Sequence, residues 1–367
     1  MAVLSVSAPL AALSKSGWKE SKNDPIYNPY PSPIVLYDDY FPAVLYNKDK
    51  FHQGDNGFYY KMWQQGDNGS GGATGQLAFS GSNDGIHWVL KGLINIENLT
   101  SSVGHPCVIY DEHGFGGTPY TYQMWFWNGN VAQGTLNNIY QTFSTDGMNW
   151  TTPTLITQDP NFPLTDGITG SYFQQLYGPG FVIYNPNASN DFLMPYTYRY
   201  VMFFDASGAG LVPGNNAQEE IGLAYSSDGL HWIRYGNVPV LIPSGNASDW
   251  DGLFMFRPSI ILVNGTYHMY YSGSNGDQTL GTNFAHGLGH ATSQDGINWV
   301  KDPTNPTFIN TDGVYWRTDR TYTPCVLYGT FKDSKGTQHN MGKMWFVGSN
   351  QPYPDGTAIS YATFKHH

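Results

Sequence analysis

The sequence predicts an all-β, ring-shaped β-propeller of five blades, and three recurrences predict it. A Ser-x-Asp-Gly-x-x-Trp signature occurs four times, a Met followed by aromatic residues occurs five times, and a Pro opening an apolar strand occurs five times. The whole chain, residues 1–367, is read as one domain, with blades at 37–95, 103–157, 176–242, 255–304 and 322–364 plus 14–22.

The first signature spans Ser82 to Trp88, Ser144 to Trp150, Ser226 to Trp232 and Ser293 to Trp299. Each copy lies between two β-prone runs, and Asp-Gly there is a hairpin signal because glycine accepts the positive φ of the turn. Successive tryptophans are 62, 82 and 67 residues apart, room for four strands and their loops. The second signature holds Met62, Met124, Met202, Met269 and Met344, and the third Pro42, Pro106, Pro179, Pro258 and Pro324. The last blade lacks its own Asp-Gly-x-x-Trp hairpin. Ser16 to Ile26 resembles the run after Trp299, so Trp18 is expected on the outer strand of that blade, closing the ring near Tyr361 and removing an exposed sheet edge.

Composition agrees. Gly (43), Tyr (27) and Trp (11) are abundant and charged residues make up only 12%, which favours strands and tight turns. A net charge of -11 with 17 Lys and Arg argues against a nucleic-acid surface. No apolar run is long enough for a membrane span. Residues 2–13 are mildly apolar without a preceding Lys or Arg, which leaves a trimmed start or an N-terminal strand open. Cys107 and Cys325 occupy the same position in non-adjacent blades, so no disulfide is expected between them.

Repetition sorts architecture from chemistry. Asp84, Asp146, Asp228 and Asp295 occur once per blade in rim hairpins and read as structural, as do the methionines. A site is expected where blades differ, over the axis on the face carrying the long connections 64–76, 127–138, 151–177, 205–220, 233–256, 272–287 and 348–358. Carboxylates there are Asp38, Asp39, Asp205, Glu219, Glu220, Asp249, Asp251 and Asp319. Asp39 is the expected base, with Asp251 or Glu220 as acid. Of five arginines, Arg257, Arg317 and Arg320 cluster before blades 4 and 5. With Asp249, Asp251 and Asp319 near in sequence they form either an ion-pair network or a ligand site, for example for an acidic sugar. His105 should enter the funnel, as a structural ring or as a group that bonds a hydroxyl or moves a proton. Trp127, with Trp63, Trp125, Trp250 and Trp316, is a candidate sugar platform. No metal-ligand spacing and no cofactor motif is present.

The Pro-opened inner strand, aromatic pairs such as MYYSG, and IGLAYSSDGLHW together resemble the five-bladed propeller glycosidases of glycoside hydrolase families 43, 32 and 117 and the related mannoside phosphorylases. The resemblance runs from about Tyr37 to the C-terminus. It implies an axial funnel that binds carbohydrate and cleaves glycosidic bonds with paired carboxylates. It further implies an extracellular or periplasmic setting. A monomer or weak oligomer, without nucleic-acid or membrane partners, is expected. In arabinan-type members an Asp directly precedes the inner-strand Pro; here those positions are Phe41, His105, Gly178, Arg257 and Thr323. The departure leaves a hydrolase with displaced carboxylates, a His-assisted variant, or a sugar-binding propeller without catalysis.

Overall fold

In the computed structural model, described residues are 17–27, 40–51, 57–66, 75–99, 101–128, 138–168, 170–187, 198–208, 218–276, 285–333, 335–350 and 357–365. Strand β1 is Trp18–Glu20. The first antiparallel unit is β2 (Tyr40–Tyr46), β3 (Tyr60–Gly66), β4 (Gln76–Ser82) and β5 (Trp88–Leu93), trailed by β6 (Asn95–Ile96). The second is β7 (Val103–Tyr110), β8 (Tyr122–Asn128), β9 (Asn138–Ser144) and β10 (Asn149–Trp150), with β11 (Thr154–Leu155) and β12 (Thr157–Gln158) after it. The third is β13 (Gln175–Tyr184), β14 (Tyr200–Gly208), β15 (Gln218–Ser226) and β16 (His231–Arg234). The fourth is β17 (Phe254–Val263), β18 (Thr266–Ser274), β19 (His286–Ser293), β20 (Val300–Lys301) and β21 (Phe308–Ile309). The fifth is β22 (Arg320–Lys332), β23 (Gln338–Ser349) and β24 (Thr357–Lys365), whose outer edge pairs with β1 through Trp18↔Phe364, Lys19↔Thr363 and Glu20↔Ala362.

The units pack face to face, and each apolar cluster spans one seam. Phe79 and Trp63 meet Met124 and Phe126; Trp125 and Ile139 meet Met202 and Phe204; Phe203 and Ile221 meet Met255 and Tyr271. Tyr270 and Leu288 then meet Met344 and Trp18, and Trp345 and Tyr361 return to Tyr60 and Met62. The inner strands follow the same cycle: β2 touches β7, β7 touches β13, β13 touches β17, β17 touches β22, and β22 touches β2. All five signature methionines are fully buried in these seams.

The hairpin signature is a latch. In each copy the Ser Oγ accepts the glycine amide and Asp Oδ1 accepts the next two amides, for example at 2.9, 2.8 and 2.8 Å around Ser82 and Asp84. The glycines sit at φ 81°, 77°, 79° and 67°, where a side chain would be strained. Their carbonyls accept the indole N–H of the signature's own Trp. Three accept a second indole from the neighbouring unit: Trp63 onto Gly147 at 2.8 Å, Trp125 onto Gly229 at 2.8 Å and Trp345 onto Gly85 at 2.7 Å. The fifth unit has no such hairpin; there Trp18 Nε1 donates to Tyr270 Oη at 3.1 Å.

Each inner strand is interrupted by a register shift at its proline. The residue before the proline takes a positive φ: 52° at Phe41, 55° at His105, 149° at Gly178, 53° at Arg257 and 52° at Thr323. A bulge of this kind re-aims a side chain and frees its amide. Three freed amides are caught by a side chain of the preceding unit at the same repeat position: His105 by Gln65 (3.0 Å), Arg257 by Asp205 (2.8 Å) and Thr323 by Ser272 (2.7 Å). The residue after the proline is small and serves the next strand. Ser259 Oγ accepts the Val326 amide, Cys325 Sγ accepts the Val44 amide, and the Val182 amide bonds Cys107. Both cysteines are buried free thiols.

Candidate functional site

A cavity of about 300 Å³ opens beside the bulged ends of the inner strands. Its wall carries Phe41, His105, Tyr177, Glu219, Phe254, Phe256, Arg257, Ser274, Gly276, His286, Arg320 and Tyr322. Strand starts and second-to-third strand connections supply them, on the face the loop lengths indicate. Units three and four are stitched at this wall by the parallel pair Glu219↔Phe254.

Arg257 organises the floor. Its Nε is 3.0 Å from Asp205 Oδ2, its Nη1 donates to the Pro179 carbonyl at 3.1 Å, and its Nη2 contacts His105 Nδ1 and the Tyr177 carbonyl. The guanidinium also lies 4.5 Å from the centre of the Phe41 ring, a cation-π contact. The His105 ring packs edge-on against Phe41 at 4.2 Å and stacks on Trp127 at 5.5 Å, and its Nδ1 is 2.8 Å from the Tyr177 carbonyl. Burial, reinforced by the Arg257 charge, holds this imidazole neutral, well below the usual histidine range. His286 is likewise pushed down to about 4, chiefly by burial.

Glu219 is the carboxyl on the wall. Burial and, secondarily, the nearby Asp205 charge lift it to about 8 against the opposing pull of Arg257. The protonated form is therefore favoured at neutral pH. Burial also raises the Asp205 carboxyl against the pull of Arg257.

Of the residues expected to react, Asp39 lies outside the described residues, as does Asp38. Glu220 is buried but on the opposite side of its strand. It pairs with Ala206, which packs toward the second unit, whereas Glu219 shares its side with Ile221 and the fourth unit. Burial raises Glu220 to about 9. Asp251 is absent from the cavity wall; its Oδ2 accepts Tyr271 Oη at 3.0 Å and Lys301 Nζ at 2.8 Å. A carboxylate so engaged braces its unit.

The arginine cluster divides. Arg317, 1% exposed, binds Glu20 and Asp312 at 2.9 and 2.7 Å and holds β1 in place, so it is a structural residue. Arg257 is paired at the floor, and Arg320 reaches the wall with Asp319 3.6 Å from its Nε. Asp319 also accepts Ser349 Oγ at 3.2 Å. None of the five tryptophans is on the cavity wall: Trp63 and Trp125 are buried latches, Trp316 is buried against Glu20, Trp250 stacks on Tyr271, and Trp127 backs His105. Phe41, Tyr177, Phe254, Phe256 and Tyr322 supply the aromatic surface instead. Among the described residues no group of three His, Cys, Asp or Glu could hold a metal ion, and no helix is long and apolar enough to cross a membrane.

This architecture is similar to that of solved glycoside hydrolases. A glycosyl hydrolase from Bacteroides ovatus superposes with a TM-score of 0.60 at 15% identity, covering 95% of this chain and 93% of that one. A member of the GH130 mannoside phosphorylases, a family whose hydrolases target β-1,2 mannosidic linkages in Candida mannan, gives 0.60 at 16% identity over 95% and 94%. An N-acetylgalactosamine deacetylase from F. plautii, in complex with blood group B trisaccharide, gives 0.57 at 15% identity over 91% and 92%. No protein-family model and no curated protein matches the sequence. At these identities the likeness concerns the fold.

Proposed function

We propose that the five units are the blades of a five-bladed propeller closed by β1, and that the protein is a glycan-active hydrolase working in the axial cavity. The observation that carries the reading is Glu219, a protonated carboxyl on a wall of aromatic rings and hydrogen-bond donors. Such a group donates its proton to a departing glycosidic oxygen, which takes the bonding electron pair. Asp39, adjacent in sequence to Tyr40 and Phe41, is the proposed partner carboxylate. Aromatic faces suit sugar rings, and the neutral imidazoles of His105 and His286 add polar edges without charge. By analogy with polysaccharide-degrading relatives, an extracellular setting is proposed.

A second reading, carbohydrate binding without cleavage, is favoured by one observation: none of Phe41, His105, Gly178, Arg257 or Thr323 is a carboxylate. A chromogenic aryl-glycoside panel separates the two. Hydrolysis by the wild type that is lost in Glu219→Gln and in Asp39→Asn, with unchanged melting, supports the hydrolase. Sugar binding without turnover supports the second reading. Full activity in Glu219→Gln removes the proton-donor assignment.

A further inference from the structure

We propose that the axial cavity takes a glycan bearing a carboxylate, a uronic acid class of sugar, with Arg320 as its anchor; this rests on the carbohydrate reading of the same site. Among the described residues, the wall carries two formal charges at neutral pH, Arg257 and Arg320, and both are positive. They are not equivalent. Arg257 is 9% exposed and each of its three nitrogens already faces a partner: Asp205, the Pro179 carbonyl, and the His105 and Tyr177 pair. Its charge is balanced at the floor.

Arg320 keeps 26% of its side chain exposed; among the described residues its acidic partner, Asp319, lies 3.6 Å from Nε, longer than a charge-assisted hydrogen bond, and its other side-chain partner is the neutral Tyr322 hydroxyl. The guanidinium lies 5.8 Å from the centre of the Tyr322 ring, which is itself 4% exposed and packed against Tyr40, Phe41 and His286, so the open group of the pair is the cationic fork. A uronic acid held in the cavity presents its C5 carboxylate to that fork, and guanidinium matches carboxylate in two parallel hydrogen bonds where an ammonium cannot. Glu219, carrying its proton, adds a donor and no repulsion. The chain as a whole is at -11, so long-range steering works against an anion. The preference must come from local contact.

Calorimetric titration of the intact chain with D-glucuronate, D-galacturonate, D-glucose, D-galactose and acetate tests this. The uronates should bind at least about tenfold more tightly than the matching neutral sugars, and Arg320→Gln should reduce that ratio to about two. Arg320→Lys should recover only part of it. Neutral sugars binding as tightly as uronates overturn the inference and leave the carbohydrate reading standing. Acetate binding as tightly as the uronates, or a preference that survives in Arg320→Gln, also overturns it. Failure of every sugar to bind overturns both.

Discussion

Replacing Trp18 by Ala tests whether three residues of β1 complete the fold. The indole is 6% exposed, lies edge-on to Tyr270 at 5.5 Å, and donates its N–H to the Tyr270 hydroxyl. Removing a buried Trp costs about 3–5 kcal/mol. For 367 residues the unfolding entropy is about 0.8 kcal/mol/K, so Tm should fall by about 4–6 °C. Trp18→Phe keeps a ring but abandons the hydrogen bond, and should cost about 1–2 kcal/mol, or about 1–3 °C. Calorimetry gives the melting temperatures. Hydrogen exchange adds the location: amides of β24 that bond β1, such as those around Ala362, should exchange faster in Trp18→Ala while β7 and β8 are unaffected. A Tm within about 1 °C of wild type, with unchanged exchange in β24, refutes the closure argument.

Three further outcomes follow. If Glu219 donates the proton, activity is present below its folded value and is lost as pH rises through about 8; an alkaline limb insensitive to Glu219→Gln contradicts this, read from kcat/KM against pH. Glu220 is raised from 4.5 to about 9, so the buried acid favours its protonated form and wild-type stability declines as pH climbs from 4.5 toward 9. Glu220→Gln should therefore equal wild type near pH 4 and exceed it by several kcal/mol at pH 9, by denaturant titration at both. Cys325→Ser keeps an acceptor for the Val44 amide and should melt near wild type, whereas Cys325→Val strands that amide and should cost about 1–3 kcal/mol.

The repeats made the scaffold legible because each reports the same physical demand several times. Asp-Gly marks a turn requiring positive φ, the methionine fills a seam, and the lone Ser16–Ile26 match pointed to β1. The chemistry was harder to read for a specific reason. Both faces of β15 are buried, one against the second unit and one against the fourth, so the alternation of Glu219 and Glu220 carries no polar-out signal. Only the register Ser207↔Glu219 decides which carboxyl reaches the cavity. Arg317 shows the same limit: its partners Glu20 and Asp312 come from the far terminus and a local loop, and proximity in sequence to Arg320 was no guide. Cys107 and Cys325 share a position because a small acceptor is needed there, a role visible only once the Val182 and Val44 amides are seen beside them.

The bulges before the five prolines separate holding from reacting. Gln65 and Ser272 grip the bulged backbone through its amide, whereas Asp205 takes both the amide and the guanidinium of Arg257. The floor is thus a set of sockets in which the occupant can change while the mount stays. An exchange at Phe41 would set a different group beside His105 and the Arg257 guanidinium. By that route a lineage on this scaffold can change the chemistry its floor presents in very few genetic steps.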